Sequence, residues 1–374
     1  MTTSIGRTDE MKRSANSPHI VLPRSTTGLA KWHAAAPGVE ALDRSMPIVD
    51  PHHHLFGTAA DPVHYNLEDL HQDLGSGHQI LATVYVEAYE SGWRKTGPMS
   101  MRPVGEVDMI VDVSRSPLRM PYGQCQVGAG IVAHVDLTLG EGVTDVLDAQ
   151  VAASKGRLRG VRHSAADDNG TLGSLIRTRP RAQLLLDTSF RPGFALLEPR
   201  NLVFDAWIYH TQLRELIDLA DAFPNTLIVL DHIGGPLGAC EWSIKRDEVR
   251  ADWQTKVREL SSRPNISVKI GGMGMIMFGF RFEHGQTPPT AYELAREWQP
   301  YIETCLEAFG TDRCMFESNF PEDKQSCSYV ELWNAFKLAS RKLSADERRD
   351  LFYRTACQSY RLPDLVKLCD SIAL

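Results

Sequence analysis

Nowhere does this chain reach the ~18 uninterrupted apolar residues that a membrane-spanning helix needs. Its N-terminal run, M-T-T-S-I-G-R-T-D-E-M-K-R, carries charge but lacks the apolar core of a signal peptide. The cysteines lack pattern: there are seven, an odd number, and no C-x-x-C occurs. Cys125, Cys240, Cys305, Cys314, Cys327, Cys357 and Cys369 are dispersed, which argues for reduced thiols in a cytoplasmic protein over a disulfide framework. A basic excess is also missing. Lys and Arg number 40 against 47 Asp and Glu, a net charge of −7, so neither nucleic acid nor a membrane is an expected partner. The densest basic spots, R-S-P-L-R at 115–119 and R-T-R-P-R at 177–181, read as solvated loops.

What is present is ordinary globular material. The 374 residues are 43 % hydrophobic and 23 % charged, enough for a sizeable core. Residues 1–44 are rich in Ser, Thr, Pro and Ala and read as an extended N-terminal arm, placed to pack on a neighbouring subunit in a homodimer. Residues 45–374 read as one domain. Within it, short β-rich runs alternate with helical patterns. The strand candidates are 46–50, 80–88, 127–135, 158–163, 201–207, 226–232, 266–270 and 313–317. Helical spacing covers 212–223, which stops before Pro224, and 329–340; another helix closes at 258–263 and one begins at 291–298. Alternation implies a parallel sheet. Eight units in this length predict an α/β fold, a (β/α)8 barrel, with its chemistry at the C-terminal ends of the strands. The rival is a doubly wound open sheet. It would want a Gly-rich phosphate loop after an early strand, and none is present.

The first strand ends instead in I-V-D-P-H-H-H-L-F, residues 48–56. Side chains alternate along a strand, so His52 and His54 share one face and His53 takes the other. Ionisable residues recur at the other strand ends. They are Glu87, His134 with Asp136, Arg162 with His163, Tyr209 with His210, Asp231 with His232, Lys269, and Glu317 with Asn319. A lone histidine near a strand end is more often a packed, hydrogen-bonded residue than a ligand. The repetition at one rim argues for an active site, because buried polar groups need partners or a metal.

H-x-H on the first strand, G-V-R-H on the fourth, L-D-H-I-G-G-P on the sixth, V-K-I-G-G on the seventh and F-E-S-N-F-P-x-D-K on the eighth resemble the amidohydrolase superfamily. More closely, they resemble its amidohydrolase-2 branch of TIM-barrel hydrolases, which includes sugar lactonases, sulfomuconolactone hydrolase and pyrone dicarboxylate lactonase. The resemblance spans roughly residues 46–362. It implies hydrolysis of a lactone or related ester of a small, anionic or aromatic-derived metabolite, with water activated by a divalent metal, zinc or manganese. His52, His54 and His232 match the metal-site histidines. Arg162 matches an arginine able to hold a substrate carboxylate, with Lys269, Glu87 and Tyr209 as further substrate contacts.

One departure stands out. Asn319 occupies the place of an aspartate that usually ligates the metal and accepts a proton, in a G-S-D or G-T-D context; here the run is E-S-N. An amide cannot act as a general base. Glu317, Asp323, His163 and His210 are the candidates to replace it. Alternatively, Glu317 makes a buried pair with Lys269 or a histidine and has no chemistry. Rival functions are a metal-independent lactonase using His and Arg to polarise the carbonyl, a metal-dependent decarboxylase, and a non-catalytic binding barrel. Residues 91–121 are too long for a plain βα connection and read as a lid or subunit contact. M-G-M-I-M-F-G-F-R-F, 273–282, reads as a flexible apolar pocket wall or as core packing.

Overall fold

Residues 24–121 and 123–373 are described by the computed structural model of the chain. Its strands are β1 (Pro47–His53), β2 (Gln79–Val86), a short β3 (Leu118–Met120), β4 (Gly123–His134), β5 (Leu158–Arg162), β6 (Val203–Ala206), β7 (Ile228–Leu230), β8 (Ile266–Ile270) and β9 (Cys314–Phe316). Most barrel strands are buried along their whole length. Parallel sheets covered on both faces read as continuous apolar runs, which is why these segments were visible as such.

Eight strands pair in parallel in the order β1-β2-β4-β5-β6-β7-β8-β9. The ring is nearly closed by the segment after β9. Asn319 N–H donates to His52 O (2.9 Å), and His54 N–H donates to Phe320 O (2.8 Å). Asp50 reinforces this seam, accepting from Ser318 N–H (3.0 Å) and from the Tyr329 hydroxyl (2.9 Å). The architecture is the expected (β/α)8 barrel.

The helices at 213–222, 246–260, 291–309 and 329–339 fall where the apolar spacing predicted them. Trp253, Trp298 and Trp333 lie fully buried on these helices and fill the layer between them and the barrel. The helix from Ala291 opens with a capping box, Thr290 with Glu293, and runs on through Pro300.

Two expectations need correction. The stretch after β2 is not a bare loop: it contains a helix, Val104–Val113, and β3, which pairs antiparallel with β4. The arm is not extended over residues 24–44, and it packs on its own barrel. Thr26–Ala34 is a helix whose Trp32 Nε1 donates to Gly285 O (2.9 Å), while Leu42 N–H donates to Asn334 Oδ1 (2.7 Å). Residues 1–23 of the arm lie outside the described residues. In 273–282, Phe280 and Phe282 pack on Tyr301 and Trp298, a core arrangement.

Candidate active site

Pro51 sits inside β1, and a register irregularity falls between Asp50 and His53. Beyond it the side chains alternate as expected. His53 turns to the β2 side, where its Nε2 is 2.8 Å from the Thr83 hydroxyl. His52 and His54 turn inward together, and their Nε2 atoms lie 3.2 Å apart.

The partner of His54 assigns its proton. His54 Nδ1 is 2.9 Å from Val86 O, which can only accept, so Nδ1 carries the hydrogen. His52 Nδ1 is 2.8 Å from Glu317 Oε2. Burial pushes both imidazoles below their ordinary range, and with its hydrogen on Nδ1 the His54 ring presents Nε2 as a lone pair. Burial alone would raise the Glu317 carboxyl, but the flanking His232 and His52 hold it down, to about 2.

His232 comes from a strained turn. Asp231 ends β7, and His232 and Ile233 follow at φ 54° and 52°, the left-handed region that β-branched residues rarely occupy. The turn aims both the His232 backbone N–H (3.2 Å) and its Nδ1 (2.7 Å) at Glu317 Oε1. Trp207 meets the His232 ring edge-on at 4.8 Å. His52, Asp231 and His232 offer donor atoms that all lie within 4.8 Å of one another.

Beneath them lies a dry charge network. Lys269 Nζ donates to Asp205 (2.6 Å) and lies 3.0 Å from Asp231 and 3.1 Å from His52 Nδ1. Asp205 also accepts from the Tyr360 hydroxyl (2.9 Å). Burial raises the Asp205 carboxyl to about 6, against the pull of Lys269.

Arg162 was read as a clamp for a substrate carboxylate. The structure shows its contacts within the protein. Nε donates to Glu87 Oε1 (2.7 Å), Nη2 donates to Glu87 O (2.7 Å), and Nη1 lies 3.4 Å from both Asp231 Oδ2 and His52 Nε2. Lys269 and Glu87, two further expected substrate contacts, are therefore partners within the protein. The Tyr209 hydroxyl is buried without a hydrogen-bond partner.

The four candidate bases are separated. Glu317 bridges the two histidines. Asp323 is tied down, accepting from Asn319 Nδ2 (2.8 Å) and Gly274 N–H (2.9 Å), and burial raises its carboxyl well above the ordinary range. His163 Nδ1 accepts from Leu137 N–H (3.2 Å) beside His134, and His210 Nδ1 accepts from Leu237 N–H (3.4 Å) beside Trp242. Burial lowers both imidazoles to about 4. Asp231 was marked as a strand-end residue without a role, and Asp205 was not singled out from sequence, although the D of V-F-D-A sits at the end of an apolar run, the signal that marked the others.

A divalent cation fits this set by two measures. Metal–nitrogen bonds of about 2.0–2.1 Å at a tetrahedral angle place two imidazole nitrogens about 3.4 Å apart, close to the spacing of His52 and His54. Charge balance agrees. Four buried carboxyl groups, Glu87, Asp205, Asp231 and Glu317, face two permanent cations, Arg162 and Lys269.

The family model for amidohydrolases, of the amidohydrolase-2 type, matches residues 49–362. The chain belongs to that family. This amidohydrolase is 30 % identical over 221 residues to L-fucono-1,5-lactonase from Burkholderia multivorans, covering 58 % of this chain and 68 % of that one. Among solved structures, it resembles an amidohydrolase from Burkholderia multivorans with bound zinc. The TM-score is 0.63 at 23 % identity, over 84 % of this chain and 99 % of that one. A putative 2-pyrone-4,6-dicarboxylic acid hydrolase from Pseudomonas putida matches with TM-score 0.58 at 15 % identity, over 84 % and 98 %. At these identities the two structures show the shared fold. The chain is thus an enzyme of the amidohydrolase superfamily. No helix among its described residues is long and apolar enough to cross a membrane.

Proposed function

We propose that this amidohydrolase opens the ring ester of a small lactone of anionic or aromatic-derived character. The observation that carries the reading is the facing pair of His52 and His54 Nε2 atoms, with Asp231 and His232 grouped around His52. His52, His54 and His232 would hold a zinc or manganese ion, which suits imidazole and carboxylate donors. Such an ion polarises a carbonyl and makes a bound water acidic enough to ionise near neutral pH.

The rest is the work of side chains. Asp231 is the carboxylate beside the histidines, and Lys269 and Arg162 keep it ionised against the effect of burial. It takes the proton of the attacking water and returns it to the alkoxide released when the ring opens. This replaces the role lost at Asn319, whose amide has no basic lone pair. The dry floor made by Glu87, Arg162, Asp205 and Lys269 fixes these groups before substrate arrives, so little reorganisation is left for the reaction. Similarity to a lactonase in sequence supports the choice of ester over amide.

The test is hydrolysis of a panel of sugar lactones and pyrone carboxylates, followed by proton release, with zinc- or manganese-loaded protein. Opening of at least one lactone, reduced at least 100-fold in a folded D231N variant, is expected. No turnover across the panel, or full activity in D231N, overturns the reading.

A further inference from the structure

We propose that Glu317 is a positioning residue: a single carboxylate between His52 and His232 fixes both rings with Nδ1 protonated, so that both Nε2 atoms enter the site as lone pairs.

The geometry is specific. Oε2 lies 2.8 Å from His52 Nδ1, and Oε1 lies 2.7 Å from His232 Nδ1 and 3.2 Å from the His232 backbone N–H. A carboxylate only accepts, so the hydrogen bond to His232 places a hydrogen on that Nδ1, and the 2.8 Å approach to His52 Nδ1 favours one there as well. Lys269 Nζ, whose other contacts are Asp205 (2.6 Å) and Asp231 (3.0 Å), lies 3.1 Å from the same His52 Nδ1, farther than Glu317 Oε2 at 2.8 Å. Each ring is thereby held in one tautomer and one orientation, which is what a ligand or an acid–base imidazole requires from the groups behind it.

The backbone is shaped around this contact. A Cβ at Gly271 would stand 2.3 Å from Glu317 Cγ, and one at Gly272 would stand 2.5 Å from His232 Nδ1. The two glycines at the end of β8 therefore clear the space in which carboxylate and imidazole meet. The left-handed turn at His232 and Ile233 supplies the approach from the other side. A pair kept only for stability would need neither strained turn nor cleared space. The run E-S-N gains a physical meaning as well. Glu317 and Asn319 lie two residues apart, and the carboxylate meets His52 and His232 while the amide donates to Asp323 (2.8 Å).

What the lone pairs do rests on the function proposed above; which nitrogen carries the proton does not. Long-range ¹H–¹⁵N spectra of ¹⁵N-histidine-labelled full-length protein, as purified and after chelation, read the tautomers directly. After chelation, His52 and His232 are expected to be protonated at Nδ1 and bare at Nε2. In E317Q the side chain keeps one oxygen and turns an NH₂ on the other ring. One of the two histidines is then expected to shift to the Nε2-protonated form, and zinc affinity to fall 10- to 100-fold. E317D, which keeps two acceptor oxygens, is expected to retain both tautomers. A wild-type spectrum with either ring protonated at Nε2 overturns the proposal, even if E317Q fails to fold. So does an E317Q spectrum with both tautomers unchanged. If the tautomers shift as expected while no lactone is opened, the role of Glu317 stands and the lactonase reading falls.

Discussion

The Nε2 atoms of His52 and His54 face each other at 3.2 Å within a buried site, each backed by an acceptor at its own Nδ1. This pair is the centre of the cation site proposed above. Protein purified without added metal should carry about one zinc or manganese ion per chain, the loading a single donor set supports. The H52A/H54A variant should lose it while keeping its circular dichroism. Elemental analysis decides, and an unchanged metal content in the variant refutes the assignment.

The Arg162–Glu87 pair gives a stability prediction. Replacing Arg162 with Met strands Glu87 and Asp231 in a dry interior, where removing one partner of a buried ion pair costs about 3–5 kcal/mol. Urea unfolding should show a loss in that range. A loss below about 1 kcal/mol, typical of an exposed pair, would mean that Arg162 reaches solvent or substrate.

Gly272 sits at φ 67°, and its absent Cβ would clash with the His232 ring. G272A should destabilise by at least about 2 kcal/mol, from the left-handed backbone plus the displaced imidazole. Gly156, at φ 80° with nothing within 4 Å of its Cβ, is the control. G156A should show only the backbone part, about 1–2 kcal/mol. Equal losses in the two variants would remove the clash at His232 from the account.

Lys337 and His78 predict a pH dependence. Lys337 Nζ donates to Leu42 O (2.9 Å), Asp43 O (2.8 Å) and His78 Nδ1 (2.9 Å), and His78 Nε2 in turn meets Val330 O at 3.1 Å. Burial, aided by the Lys337 charge, lowers the His78 imidazole from 6.5 to about 3. Between those values the unfolded chain binds a proton that the folded chain refuses. The His78 contribution is therefore full above pH 6.5 and is lost as the pH falls. From pH 6.5 to 5 it amounts to about 2 kcal/mol. Urea unfolding of wild type and H78Q should differ in slope by that amount over the interval. Parallel pH profiles would refute it.

The barrel was legible because its strands are buried on both faces and its helices show a stripe; both patterns survive in a single sequence. The inward pairing of His52 and His54 was legible for the same reason, since alternation along a strand is a local rule. The internal partner of Arg162 was not legible, because its residue type states what it can bind, while Glu87 is 75 residues away in the chain. Glu317 was recognised as displaced from the usual position, with its task left open between base and buried partner. Distances to two histidines on two other strands favour the partner role.

By itself the sequence determined the alternation of strand and helix, the faces on which His52, His53 and His54 point, and the departure at Asn319. Those follow from local periodicity and residue chemistry. The tertiary structure alone decided which charges meet. Ring closure brings residues from β1, β5, β6, β7, β8 and β9 into one dry volume, where each ionisable group takes its protonation from neighbours distant in sequence. That is why the donor set, the engagement of Arg162 and the placement of Glu317 between His52 and His232 appear only in the folded barrel.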